Sequence, residues 1–414
     1  MTSPLRILLV ALACPALALA GNWPAWRGST GDGRCTEKDL PLEWNTTKNV
    51  RWKVPLPDEG NSTPVVWRNR LFLTQATQRG THRALLCLDR SNGKQLWKAE
   101  VQYKEKEPTH GTNPYCSASP VTDGERVLVS HGSAGLFCYS VEGKELWRKD
   151  VGKMIHIWGN ASSPILYGDL AILWVGPGDR QILLAVDRRS GKTVWEHNEP
   201  GGVDGITNKD WVGSWSTPII ARVGGRDELI LSVPLKVKGF DPNSGKELWS
   251  CAGLGKLVYT SPVCSAGGIV VAMSGYGGPS LAVRAGGSGD VTKTHRLWQH
   301  PSNPQRIGSP VIVGEHAYLI NEQGLGQCFE LKTGKDVWMK ERAASATWGS
   351  LVVAGDRFYI TTQNGETVIL SASPEFKVLG RNRLNETTRA SVAVSDGELF
   401  IRTYKHLWCI SKKQ

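Results

Sequence analysis

The chain has 414 residues, a formal net charge of +11, and 46 glycines, 22 prolines and 17 tryptophans spread along its length. Length alone suggests two or three domains, but this composition favours one large repetitive all-β domain. The positive charge does not indicate a nucleic-acid partner, because the lysines of a repeated turn would lie around the whole molecule rather than in one basic stripe.

The first 20 residues have the pattern of a secretory signal peptide. Arg6 supplies a positive charge, an apolar stretch follows it, and Ala18 and Ala20 form an A-x-A cleavage site before Gly21. The apolar stretch is too short for a membrane-spanning helix. The sequence therefore predicts an exported protein, periplasmic or secreted, without a transmembrane segment.

A lipid-anchored form is the alternative at this end of the chain, because a cysteine lies within the apolar stretch. However, the residues before Cys14 make a poor lipobox, and Pro15 follows it. We therefore expect cleavage after Ala20 and a mature protein that forms one domain over residues 21–414.

The mature chain repeats one short phrase, a turn containing Gly-Lys, then two residues, then a tryptophan that opens a strand. Clear copies are SNGKQLW (91–97), VEGKELW (141–147), RSGKTVW (189–195), NSGKELW (243–249) and KTGKDVW (332–338). Weaker copies end at Trp52 and Trp298, and a degenerate copy ends at Leu379. Recurrence at roughly 40 to 55 residues indicates a repeat architecture.

Each repeat contains the pattern of four short strands. An alternating apolar run follows a Ser-Pro or Thr-Pro pair, two further runs follow breaks rich in Gly, Asn and Asp, and the Gly-Lys turn and the tryptophan strand complete the unit. No convincing amphipathic helix interrupts them. The pattern predicts an up-and-down four-stranded antiparallel sheet, which is the blade of a β-propeller.

Counting the units predicts an eight-bladed β-propeller, with seven or nine blades as the alternatives. The blades begin near Ser62, Ser117, Ser162, Ser216, Thr260, Gly308, Gly349 and Ala390. The last blade has only three strands, whereas a strand carrying the in-phase Trp52, within residues 44–57, precedes the first blade. We expect this strand to complete the last blade, because its pairing there closes the ring without an open edge.

The repeats resemble those of the pyrroloquinoline-quinone-like (PQQ-like) eight-bladed propellers, which include the quinoprotein alcohol dehydrogenases and the outer-membrane assembly lipoprotein BamB. NWPAWRG (22–28), NPYCSASPVTDGERV (113–127) and WGNASSP (158–164) are similar to segments of the exported bacterial members. The resemblance covers essentially everything after residue 22. It implies the fold but not a function, because propellers include both enzymes and inert scaffolds.

Export permits disulfides, and the chain contains nine cysteines, one of which is Cys14. Equivalent points on different blades are too far apart for a disulfide, so the four cysteines that share one blade position are expected to be small buried apolar residues. These are Cys87, Cys138, Cys328 and Cys409. The remaining four leave room for one bridge; they are Cys35, Cys116, Cys251 and Cys264. No cysteine or histidine cluster has zinc spacing.

A ligand site is expected at the mouth of the central channel, because the loops that enter the innermost strands gather there. These loops carry Asn61, His110, Asn113, Tyr115, His156, Trp158, Asn160, Trp211, Trp215, Tyr259, Arg306, Trp348 and Arg389. A funnel with aromatic rings, two arginines and several amides suits a flat, anionic or peptide-like ligand. The alternative is that these side chains plug the axis and satisfy one another.

The family resemblance also implies an enzyme alternative, because quinoprotein dehydrogenases hold PQQ and a calcium ion in such a funnel. Asp204, Asn208 and Asp210 supply part of the oxygen set that calcium needs. The chain has no Cys-Cys pair, no CxxCH haem motif and no GxSxG, HExxH or Walker motif. We assign no catalytic residue.

We therefore expect a monomeric, non-catalytic binding or scaffold protein that engages a protein partner or a small ligand of the cell envelope at the funnel. PQQ- and calcium-dependent oxidation of an alcohol or sugar is the alternative.

Overall fold

The computed structural model describes residues 21–303, 305 and 307–412, and it consists of small antiparallel sheets with almost no helix. The predicted signal peptide and Arg306 of the predicted funnel lie outside the described residues. Within the described ranges, no helix is long and apolar enough to cross a membrane. The helical elements there are two single 3₁₀ turns, Gln78–Gly80 and Gly132–Ala134.

Eight sheets, each built on four antiparallel strands, form blades 1 to 8 in chain order. The strands of blades 1 to 4 are Val65–Trp67, Arg70–Thr77, His82–Asp89 and Gln95–Gln102; Val121–Thr122, Arg126–Ser130, Leu136–Ser140 and Glu145–Lys149; Ile165–Tyr167, Leu170–Val175, Gln181–Asp187 and Thr193–Glu199; Ile219–Val223, Arg226–Val233, Lys236–Phe240 and Glu247–Ala252. Those of blades 5 to 8 are Val263–Cys264, Ile269–Met273, Ser280–Arg284 and Arg296–His300; Val311–Val313, His316–Ile320, Leu325–Glu330 and Asp336–Arg342; Val352–Ala354, Arg357–Thr361, Glu366–Ser371 and Val378–Arg383; Ala393–Ser395, Glu398–Arg402 and His406–Ser411.

Three short parallel pairings add to these sheets. Arg34–Cys35 lies beside the first strand of blade 7, and Gly289–Asp290 lies along the outer strand of blade 4. Gly213–Ser214 pairs with Leu257–Val258 between blades 4 and 5.

The position of a strand in its blade explains its sequence pattern. The second and third strands are covered on both faces by neighbouring blades, so a strand such as Leu170–Val175 is a continuous apolar run. The outer strands alternate between more and less exposed residues, as in Gln95–Gln102.

The N-terminal strand Val50–Pro55 completes blade 8. It pairs antiparallel with His406–Ser411, and Trp52 lies opposite Cys409. The prediction of eight blades closed by an N-terminal strand is therefore confirmed.

A hydroxyl residue at the start of each first strand joins the blades around the axis. The backbone N–H of Thr63 donates to Ser119 Oγ at 2.9 Å, and the same bond recurs from blade to blade. The further donor and acceptor pairs are Ser119 to Ser163, Ser163 to Thr217, Thr217 to Ser261, Ser261 to Ser309, Ser309 to Ser350, and Ser350 to Ser391. We call these eight residues the hydroxyl ring. Its one gap among the described residues is at Thr63, whose Oγ1 has no partner there.

Residues 21–44, here called the N-terminal segment, cross the channel at the end opposite its mouth. Trp23 exchanges two backbone hydrogen bonds with Val66 of blade 1, at 2.9 and 2.8 Å, and the carbonyl of Pro24 accepts from Thr122 N of blade 2 at 2.9 Å. The guanidinium of Arg27 reaches blade 6, where it donates to the carbonyls of Ser309 and Pro310. The similarity of NWPAWRG (22–28) to segments of exported bacterial proteins did not predict that the N-terminal segment crosses the channel.

The same segment then ties blades 7 and 8 together. Val353 N donates to the carbonyl of Gly33 at 2.8 Å. The Glu37 carboxylate accepts from the backbone N–H of Asp396 at 2.9 Å and of Gly397 at 2.7 Å. The segment therefore closes one end of the channel before the chain leaves for the rim of the ring.

The eight described cysteines are free, so the bridge left open by the sequence does not form among Cys35, Cys116, Cys251 and Cys264. The four cysteines that share one blade position are fully buried, as predicted.

Candidate functional site

A cavity of about 320 Å³ lies at the mouth of the channel. Its lining comes from the loops that enter the first strands, from one turn of blade 5 and from the N-terminal segment. The lining residues are Trp26, Asn61, His110, Thr112, Asn113, Ser117, Trp158, Ala161, Ser163, Trp215, Thr217, Tyr259, Tyr276, Ile307, Trp348, Gly349, Ser350, Arg389 and Ser391.

Four rings contributed by the loops and turns at blades 3, 4 and 5 form one side of the cavity, here called the aromatic wall: Trp158, Trp215, Tyr259 and Tyr276. The ring centroids of Trp215 and Tyr259 are 4.6 Å apart, and those of Trp158 and Tyr276 are 5.7 Å apart. Trp211 packs against Trp158 at 4.9 Å from the rim but does not line the cavity. The wall offers flat apolar faces at the spacing of interacting aromatic pairs.

His156 supports the aromatic wall from behind and is not in the cavity. Its ring lies edge-on to Trp215 at 4.9 Å and is 5.3 Å from Trp158. Its Nδ1 accepts from the backbone N–H of Trp158 at 3.3 Å. Burial lowers the pKa of His156 to about 4, so the imidazole is neutral at pH 7.

A second set of contacts holds the loop that carries His110 and Asn113. Asn113 Nδ2 donates to the carbonyl of Trp158 at 2.6 Å, and Asn61 Nδ2 donates to the carbonyl of Thr112 at 2.9 Å. These bonds fix the loop that enters blade 2 against the loop that carries Trp158 and against the loop that carries Asn61.

Beneath that loop, a buried ion pair joins Arg83 and Glu107 at 3.0 Å. Asn160 Nδ2 donates to Glu107 Oε1 at 2.8 Å, and the Tyr115 hydroxyl donates to the carbonyl of Glu107 at 2.7 Å. Asn160 and Tyr115 therefore support the loop rather than line the cavity.

Arg389 lies across the axis from the aromatic wall, since blades 4 and 8 face each other in a ring of eight. Its guanidinium lies over the rings of Trp348 and Tyr404, at 5.6 and 5.4 Å from their centroids. Nε donates to Gln363 Oε1 at 3.1 Å, and Nη1 donates to the Tyr404 hydroxyl. Among the described residues, no carboxylate pairs with this cation and none lines the cavity.

The inner end of the cavity consists of Trp26 and part of the hydroxyl ring. Trp26 belongs to the N-terminal segment, so the cavity is closed at this end. Ser163, Thr217, Ser350 and Ser391 line it. Each of these oxygens accepts a backbone N–H, which leaves its own O–H available as a donor.

The residues expected to bind calcium do not reach the cavity. The carboxylate of Asp204 accepts the Thr207 hydroxyl and the backbone N–H groups of Ile206 and Thr207, and these hydrogen bonds lower its pKa to about 2. Asp210 pairs with Lys256 at 2.8 Å on the surface, and the exposed Asn208 is likewise absent from the lining. Calcium prefers carboxylate and carbonyl oxygens, so the described lining does not fit a PQQ and calcium site.

One other cluster has the spacing of metal ligands within the described part of the chain, formed by His197, Glu199 and Glu247. The ammonium of Lys238 already binds Glu199 and lies 3.0 Å from Glu247. A lysine thus provides the positive charge that a metal would bring.

Of the funnel residues expected from the sequence, the structure brings eight to the cavity: Asn61, His110, Asn113, Trp158, Trp215, Tyr259, Trp348 and Arg389. Sequence reasoning missed Trp26, Tyr276 and the ring hydroxyls. Trp26 is outside the repeats, yet its place in NWPAWRG, out of phase with the repeated phrase, is a usable signal. Tyr276 lies in a Gly-rich turn with a positive φ of 54°, which no strand pattern predicts.

The family model described as outer membrane protein assembly factor BamB matches residues 82–340 and, in a second overlapping match, 180–414. Among curated proteins, the outer membrane protein assembly factor BamB of Burkholderia pseudomallei (strain K96243) is 24% identical over 279 residues. This alignment covers 66% of the chain and 65% of that protein, which is less than two thirds of the relative's own length.

Solved structures of low sequence identity share the architecture. BamB from Moraxella catarrhalis gives a TM-score of 0.61 at 12% identity, over 87% of this chain and 97% of that one. The quinohemoprotein alcohol dehydrogenase from Comamonas testosteroni gives 0.71 at 12%, over 96% and 82%. A europium-containing methanol dehydrogenase gives 0.68 at 11%, over 92% and 89%. At these identities the likeness shows the fold alone.

Proposed function

Since the chain belongs to the family described as outer membrane protein assembly factor BamB, as its repeats indicated, we propose that it is a non-catalytic binding protein of the cell envelope. It engages a protein partner or a small ligand in the cavity at the channel mouth. The A-x-A site before Gly21 and the name of the relatives support an exported location.

The observation that carries this proposal is the composition of the cavity. An aromatic wall faces Arg389 over a floor of tryptophan and hydroxyl groups, and no described lining residue is a carboxylate. The one imidazole in the described lining, that of His110, is bonded through Nδ1 to the hydroxyl and the backbone N–H of Thr112 in its own loop. A pocket with apolar faces and a few polar groups is the usual form of a ligand site. Such a lining can hold and orient a molecule.

Binding is tested by thermal shift and tryptophan fluorescence with a panel of aromatic acids, sugars and short peptides. We expect at least one class to raise Tm and change the emission of the wild type, and the Trp158→Leu and Tyr276→Ala variants to lose that response. Met339→Ala, on the exposed outer strand of blade 6, is the matched control that keeps it. A response that survives both cavity variants would contradict binding at this site.

A PQQ- and calcium-dependent dehydrogenase is the second candidate, favoured by the shared fold with the Comamonas testosteroni enzyme. The described lining argues against it, because it offers no carboxylate for the ion. We expect no quinone absorbance after incubation with PQQ and calcium, and no dye-linked oxidation of alcohols or sugars. Tight PQQ binding with turnover would replace the binding proposal with the enzyme.

A further inference from the structure

The cavity has a cation without an acidic partner among the described residues. The two hydrogen bonds of Arg389 go to an amide oxygen and a phenol, both neutral acceptors. A guanidinium has five N–H donors in a fixed fork that matches the two oxygens of a carboxylate. Donors therefore remain at Arg389 for an anion, in a site whose described lining brings no competing negative charge.

The hydroxyl ring supplies further donors beside this cation. Ser391 directly follows the loop that carries Arg389, and Ser350 precedes it by one blade. Their oxygens each accept one backbone N–H group, and their O–H groups remain to be donated to a ligand. Because no acidic side chain lies beside these donors, they favour a ligand with hydrogen-bond acceptors. An anionic acceptor forms the strongest hydrogen bonds with them.

The aromatic wall, on the side of the cavity opposite Arg389, favours an apolar aromatic group rather than an anionic group in the same ligand. Trp158 and Tyr276 present ring surfaces at the mouth, and Tyr276 is half exposed there. These faces favour a flat ring, which gains apolar contact and edge or offset stacking. A ligand that satisfies both sides has an aromatic ring and an anionic group separated by a short linker.

The closed inner end limits how such a ligand enters. Trp26 and the N-terminal segment block the channel behind the cavity, so nothing passes through the ring along its axis. A ligand enters and leaves by the mouth, and only one end of a long molecule fits. We propose that the cavity binds an aromatic carboxylate. The carboxylate of this ligand binds Arg389 and the hydroxyl groups of Ser350 and Ser391, and its aromatic group packs against the aromatic wall.

This inference rests on the proposed binding function and narrows it to one ligand chemistry. The test uses isothermal titration calorimetry of the mature protein with N-acetyl-phenylalanine and with its carboxamide, which differ only in the charge of the end group. We expect the acid to bind about 10-fold more tightly than the amide, because a hydrogen-bonded ion pair is lost in the amide. Arg389→Met is expected to remove this preference, whereas Arg389→Lys retains part of it.

The ratio of the two affinities separates recognition from folding, because a variant that merely loosens the fold weakens both ligands equally. Equal binding of acid and amide by the wild type would overturn the carboxylate inference and leave the binding function in place. Binding of neither probe would overturn the inference as well, and the wider ligand panel then decides the binding function by itself.

A free aromatic acid and the C-terminal residue of a polypeptide share this chemistry. Two further probes distinguish them, 3-phenylpropanoate and acetyl-Gly-Gly-Phe with a free carboxylate. Tighter binding of the peptide supports an aromatic carboxylate at a chain end, and tighter binding of 3-phenylpropanoate supports a small aromatic acid. An amidated acetyl-Gly-Gly-Phe that binds as tightly as the acid would overturn the carboxylate inference.

Discussion

Arg27 is a buried cation whose hydrogen bonds go to three backbone carbonyls, those of Asp32, Ser309 and Pro310. Burial lowers its pKa to about 10, so it stays charged at pH 7. These three hydrogen bonds offset part of the desolvation cost of the buried guanidinium and hold the N-terminal segment against blade 6.

We expect Arg27→Met to lower the free energy of unfolding by about 2 to 4 kcal/mol, because carbonyls buried beneath the segment lose a charged donor. Urea denaturation measures the change. The exposed Arg34→Met, in the same segment, is the control and should change stability by less than about 0.5 kcal/mol. Equal losses in the two variants would refute the role given to Arg27.

His156 makes the stability of the protein depend on pH. Its folded-state pKa of about 4 lies below the ordinary value of 6.5, so the unfolded chain takes up the proton first. The stabilisation is complete above about pH 6.5 and is lost as the pH falls toward 4. We expect the wild type to lose about 1 to 2 kcal/mol more than His156→Gln between pH 7 and pH 5. Parallel stability curves for the two proteins would show that His156 does not titrate on unfolding.

The strand that carries each tryptophan is fastened to the next blade through the repeated turn. The indole of Trp147 donates to the carbonyl of Arg188 at 3.0 Å, and Trp97 makes the same bond to Val141. Across the sheet, Trp147 lies opposite Cys138 and Trp195 lies opposite Ala185. A small residue in the third strand therefore makes room for each ring, which explains the cysteines at that position.

The glycine of the repeated turn is required by the tryptophan of the preceding blade. A Cβ on Gly191 would lie 2.6 Å from the ring of Trp147, at a φ of +71°. Gly168, in the same blade, has a φ of +52° with no atom within 4 Å of such a Cβ. We expect Gly168→Ala to cost about 1 kcal/mol for the backbone alone and Gly191→Ala about 2 to 4 kcal/mol. Similar losses in both would mean that the turn matters only for its backbone.

In blade 5, where the phrase weakens in the sequence, the structure departs from the rule. Blade 5 has no Gly-Lys turn to receive Trp249, and this indole donates instead to Glu228 of its own blade at 2.7 Å. The inserted strand Gly289–Asp290 covers the edge of blade 4 at that place. The blades could be counted from the sequence because each copy of the phrase encodes the contact between its tryptophan and a neighbouring blade. The position of Gly289–Asp290 could not be predicted, because this strand lies outside the repeated phrase.

The candidate site was predictable to the extent that it follows the repeat. Trp158 and Arg389 lie in loops whose position is set by the blades, so their convergence followed from the ring. Trp26 and Tyr276 depend on features outside the repeat, a segment that crosses the axis and a turn with left-handed backbone geometry. Sequence alone also could not show that the oxygens of Asp204 are used within their own loop.

Closure of the ring depends on two N-terminal parts of the described chain. Residues 50–55 provide the outer strand of blade 8, and the N-terminal segment contacts blades 1, 2, 6, 7 and 8. Without them, the last strand of blade 8 would be an unpaired edge and the channel would be open at its inner end.

We expect a chain that lacks residues 21–57 to aggregate or elute as a mixture of oligomers in size-exclusion chromatography, since an exposed strand edge recruits other chains. A synthetic peptide of residues 21–57, added during refolding, should restore a monomer peak. The same peptide with Trp23→Ala and Arg27→Met is the control and should restore less. A monomeric, thermally stable truncated protein would show that the ring closes without this segment.

The N-terminal segment also imposes an order in time. It is among the first parts of the mature chain to be made, yet its partners in blades 6, 7 and 8 are made last. Leu40 and Trp44, both buried in the finished ring, therefore stay in contact with water or with another protein until blades 7 and 8 are made. A nascent chain of this protein offers those apolar side chains to a chaperone throughout its synthesis, and the need for that help ends when the last blade arrives.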